Sequence, residues 1–94
     1  MQRQLILGKE LRNRSADQIV ESAKIIQESD GLWHIELCLS WLAPNPFLLG
    51  EFEVRKLKQF KMLNSALRNV FEKTDLSTVL IVRDRTAPLP IQII

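Results

Sequence analysis

The chain holds one cysteine, one histidine, three glycines and no tyrosine, and each scarcity removes a class of function. With Cys38 alone there is no internal disulfide and no multi-cysteine zinc motif, a usage that favours a reducing compartment. Three glycines leave little material for a glycine-rich phosphate loop, so no nucleotide cofactor is expected. Long apolar runs are missing too. Leu5, Ile6 and Leu7 before Gly8 and Lys9 are too few for a signal-peptide core, and no later segment reaches the length of a membrane span. The expectation is a cytoplasmic protein with no membrane partner.

What is present suits one ordinary domain. Ninety-four residues, 46% hydrophobic and 26% charged, build a single small core, so residues 1–94 are read as one domain. A core of that size leaves a margin on the order of several kcal/mol, and association with a copy or a partner would bury more surface. The net charge of +2 is unevenly spread: residues 1–53 carry five Lys/Arg against eight Asp/Glu, and residues 54–94 carry eight against three. Such asymmetry is one way an electrostatic docking face shows in sequence.

Residue spacing supplies the elements. In "RQLILGKEL" the positions Leu5, Leu7 and Leu11 share one side, with Lys9 interrupting, which predicts a strand. Residues 15–27 read two ways. Ser15 and Gln18 resemble a capping box, and Ile19, Val20, Ala23 and Ile26 fit a helical stripe; the Asp30-Gly31 turn after them favours a hairpin and hence a strand over 20–27. The clearest strand is "WHIELCLSW", where Trp33, Ile35, Leu37, Leu39 and Trp41 alternate with His34, Glu36, Cys38 and Ser40. "PFLLGEFEV" predicts another, with Gly50 as a bulge or bend. The period then changes: Leu57, Phe60, Leu63, Leu67, Val70 and Phe71 lie in one helical arc, predicting a long helix over 56–73. "STVLIVR" is apolar on both faces, which suggests a central strand. In the tail, Pro88 and Pro90 suit an edge strand or an extended arm.

Chemical constellations are sparse. On a strand, His34 and Glu36 stand roughly 6.5–7 Å apart and face one way, whereas Cys38 is roughly 13 Å from His34, too far to share one zinc. His-x-Glu also opens the zinc deaminase signature, but the Pro-Cys-x-x-Cys that must follow is absent. A polar strand face is the better reading, and Cys38 reads as an inert thiol. Glu51 with Glu53, and Glu28 with Asp30, read as solvated strand charge. No catalytic, cofactor or metal residue is assigned. Lys58, Lys61 and Arg68 would share the exposed face of the helix, where they could contact a polyanion, although Glu72 sits among them. Ile91, Ile93 and Ile94 are the candidate protein interface.

The expected architecture is α+β: a mainly antiparallel sheet of four or five strands, covered on one face by one long amphipathic helix. The expected function is a non-enzymatic interaction domain, an adaptor, inhibitor or accessory protein that binds a protein partner or itself, as a homodimer for example. The alternative is a weak nucleic-acid-binding accessory protein using the basic helix face.

Overall fold

The computed structural model describes residues 4–42, 46–50 and 56–83, and everything below concerns those residues. Seven elements follow one another: β1 (Leu5–Leu7), α1 (Gly8–Arg12), β2 (Val20–Gln27), β3 (Trp33–Leu39), β4 (Phe47–Gly50), α2 (Leu63–Lys73) and β5 (Leu80–Val82). The α+β class is as expected, but the sheet is mixed rather than mainly antiparallel. In the order β1-β4-β3-β2-β5, the two central pairs are antiparallel and the two outer pairs, β1 with β4 and β2 with β5, are parallel. Alternation reports which face a residue occupies and not which way the strand runs. The outer strands reach their neighbours through long crossovers, which permit parallel pairing.

β2 and β3 form the hairpin that Asp30-Gly31 announces. The Gly31 N–H donates to the Glu28 carbonyl at 2.9 Å, and the Asp30 carboxylate accepts from the Leu32 N–H at 2.9 Å. Gly31 takes a φ of 86°, a conformation that favours glycine. At the other end of the hairpin Val20 pairs with Leu39 and Ser22 with Cys38, so Glu21 is an extra residue in the ladder. This bulge lets Val20 and Ala23 both point inward. Ser15 and Gln18 close a turn before the strand, where the Ser15 N–H donates to the Gln18 side chain at 2.7 Å, and no helix follows them.

Two elements are shorter than the spacing predicts. β1 ends at Leu7; its inward residue is Ile6, with Leu5 and Leu7 on the opposite face, and Leu11 reaches the core from α1. The long helix begins at Leu63, not near Lys56. Residues 57–60 are extended instead: Leu57 pairs with Gly50, and Phe60 exchanges two backbone hydrogen bonds with Trp33, each 2.8 Å. Leu57 and Phe60 fit the helical arc, but sheet pairing takes them, a case of tertiary contact overriding propensity.

One sheet face carries Ile6, Ile25, Ile35, Leu37, Leu39, Phe47 and Leu49, and α1 and α2 cover it with Leu11, Ala66 and Val70. Trp33 joins this core and Trp41, just beyond β3, packs against it. The other face is mixed, with one row running Leu5, Leu48, Glu36, Lys24 and Leu80 across all five strands. Arg14 ties the helix ends together: its Nη1 donates to the Leu11 carbonyl at 2.7 Å and the Lys73 carbonyl at 2.9 Å. The expectation of a central position for residues 77–83 is corrected. β5 is an edge strand, and among the described residues nothing pairs with its outer side.

Candidate functional site

The histidine strand separates into two pairs. His34 is 5% exposed, and its Nδ1 lies 3.1 Å from Glu28 Oε1. Glu36 sits 3.9 Å from Lys24 Nζ across the ladder. A half-exposed pair of that kind contributes at most about 1 kcal/mol. Cys38 is half-buried, and among the described residues no three His, Cys, Asp or Glu side chains come together in a way that would hold a metal ion. Nor is any helix among them long and apolar enough to cross a membrane. Glu51, Glu53, Ile91, Ile93 and Ile94 lie outside the described residues.

The basic residues regroup. Lys58 and Lys61 precede α2, so they share no helical face with Arg68. The backbone explains where Lys58 goes. Its N–H donates to the Leu49 carbonyl at 2.9 Å, which seats it beside β4, and its Nζ stands 5.6 Å from the Phe60 ring centroid. Gly50 permits this approach, since a Cβ there would meet the Lys56 carbonyl oxygen at 3.3 Å.

Lys58 thereby joins Lys9 and Arg12 of α1 and Lys73 of α2 around a cavity of about 170 Å³, completed by Gly8, Leu49, Gly50 and Asn69. Gly8 makes room for the Lys73 stem: a Cβ at Gly8 would lie 2.7 Å from Lys73 Cε. Lys73 Nζ donates to Asn69 Oδ1 at 2.9 Å. Partial burial pushes the Lys73 ammonium below the ordinary lysine range, the Arg12 guanidinium adds to this, Glu72 opposes it, and Lys58 lowers it further. Lys9, Arg12 and Lys73 carry no local sequence signal, because three separate parts of the chain must meet before the charges do.

That depression has a measurable sign. Above the folded pKa of Lys73 and below its unfolded value, the unfolded chain binds more protons, so stability rises with pH across that window. Lys73→Gln should flatten the rise. The test is the difference in melting temperature between wild type and variant at neutral pH and within the alkaline window. Equal slopes for the two proteins would contradict it.

A second cluster is apolar. Leu80, Ile81 and Val82 of β5 are 57%, 41% and 39% exposed. Phe71, expected in the buried arc of the helix, is 47% exposed. It lies on the flank of α2 away from Asn69 and Lys73, which line the cavity beside α1 and β4. The opposite sheet edge is better covered, since Ile6 of β1 is buried and Leu5 and Leu7 are half-buried.

Compared with known protein families, curated proteins and solved structures, the chain shows no match.

Proposed function

We propose that this is a non-enzymatic interaction domain of the cytoplasm that associates with a second copy of itself through the β5 edge. The supporting observation is the contradiction between the residues of β5 and their position. Leu, Ile and Val on both faces suit a strand covered on all sides, yet β5 is an exposed edge among the described residues. Apolar edges invite pairing, and proteins generally protect them by charge, shortness or a cover. A second copy fits because antiparallel pairing about Ile81 sets Ile81 against Ile81, Leu80 against Val82 and Arg83 against Val79, so no like charges meet. Ile91, Ile93 and Ile94, outside the described residues, remain the further interface candidates read from the sequence.

Ile81→Lys places a charge at the centre of that pairing, at a position 41% exposed on the edge strand beside Ile25. Sedimentation velocity should show wild type moving from monomer to dimer as concentration rises, and Ile81→Lys remaining monomeric with an unchanged circular dichroism spectrum. Ile91→Asp combined with Ile93→Asp should weaken the dimer. A wild type that stays monomeric throughout overturns the reading. If that monomer is destabilised by the tail substitutions, the tail serves the fold of its own chain.

A further inference from the structure

We propose that the cavity between α1, β4, residues 57–60 and α2 binds a phosphate group. This goes beyond edge association and does not depend on it. Lys9, Arg12, Lys58 and Lys73 come from three segments distant in sequence, and all line a space of about 170 Å³. No carboxylate lines it among the described residues. Four like charges around one small, partly desolvated space repel one another, and an anion entering it relieves that repulsion. Clusters of this kind concentrate at binding sites.

The donor set fits tetrahedral oxyanions. Arg12 offers a planar fork for two oxygens, and the lysines act as point charges that adapt to the rest. The Asn69 side chain holds the Lys73 ammonium at 2.9 Å and orients it at the cavity wall. Gly8 clears the path of the Lys73 stem, and Gly50 admits the Lys56 carbonyl at the lining. The space falls below the roughly 300–1,000 Å³ of sites that enclose whole small molecules. It takes the phosphate and leaves its carrier outside, whether the phosphate is free or belongs to a nucleic-acid backbone. Lys58 is the one residue shared with the basic trio read from the sequence; Lys61 and Arg68 are not among the lining residues.

The test is a nitrogen-15 NMR titration of the full chain with inorganic pyrophosphate at constant ionic strength, then with a mixed DNA oligonucleotide. Saturable shifts are expected at the amides of Gly8, Lys9, Gly50 and Asn69. Arg12→Gln and, separately, Lys58→Gln should each weaken pyrophosphate binding roughly tenfold or more, the loss of one charge-assisted contact. Lys61→Gln with Arg68→Gln should leave it unchanged. Each variant's own spectrum reports whether it is folded, and Arg12 is exposed, so its loss spares the core. Oligonucleotide binding with the same amides and the same variant losses assigns the phosphate to a nucleic acid; pyrophosphate alone assigns a free or small-molecule phosphate. Non-saturating shifts, or an equal loss in the Lys61 and Arg68 variant, overturn the proposal. So does binding that emerges only in Glu51→Gln, because the chain's own carboxylate would then be the anion.

Discussion

Leu37→Ala is expected to destabilise the protein by about 3–5 kcal/mol, the upper part of the range for truncating a buried leucine. Leu37 is 1% exposed at the middle of the central strand, opposite Ala23 on β2 and Phe47 on β4. Its neighbours under the helices, Leu11, Ile35, Leu49 and Val70, surround a void of only about 10 Å³, so the core has little slack to rearrange around the missing atoms. A cavity remains, and its cost adds to the lost transfer energy. Domains of this size hold roughly 5–15 kcal/mol in total, so the variant should lose a large share of its stability. The measurement is the urea midpoint at unchanged m-value. Cys38→Ser, one residue along and half-buried on the other face, should cost far less. Similar losses at both positions would contradict the assignment of the two faces.

Arg14→Ala is expected to cost about 2–3 kcal/mol, a large effect for a residue outside the apolar core. The Arg14 guanidinium satisfies carbonyls at the C-terminal ends of both α1 and α2, and its side chain is 16% exposed. Helix C-termini carry partial negative charge and unpaired carbonyls, so a cation donating to two of them acts as a cap for both. The contact with Asp75 at 3.3 Å adds little, because Asp75 is fully exposed. Asp75→Ala should therefore be nearly silent. Arg14→Lys should recover only part of the loss, because one ammonium does not reproduce the geometry of the fork. Thermal denaturation of the three variants checks the order: a large loss in Asp75→Ala with a small one in Arg14→Ala would reverse it.

How legible the fold was depended on whether a segment's pattern had one physical reading. β3 was plain because Trp33, Ile35, Leu37 and Leu39 alternate without interruption. β2 was ambiguous for a reason the structure supplies: the Glu21 bulge separates Val20 from Ala23 by three residues, which imitates a helical step inside a strand. Leu57 and Phe60 carried helical spacing into an extended segment, because Trp33 and Gly50 offered them ladder partners that no local pattern reveals. β5 was read as central because apolar residues on both faces ask for cover, and the sequence does not say which molecule provides it. The basic cavity was invisible for a different reason. Only Lys58 belonged to a basic run, and Lys9, Arg12 and Lys73 meet it through tertiary packing.

The edge of β5 is where the functional account is most exposed to test. Native-state hydrogen exchange on the wild-type chain, measured at low and at high protein concentration, reads that edge directly. Association through β5 predicts that amide protection within residues 80–82 rises with concentration while that of β3 stays the same. Protection in β5 that is unchanged across the whole concentration range would contradict it.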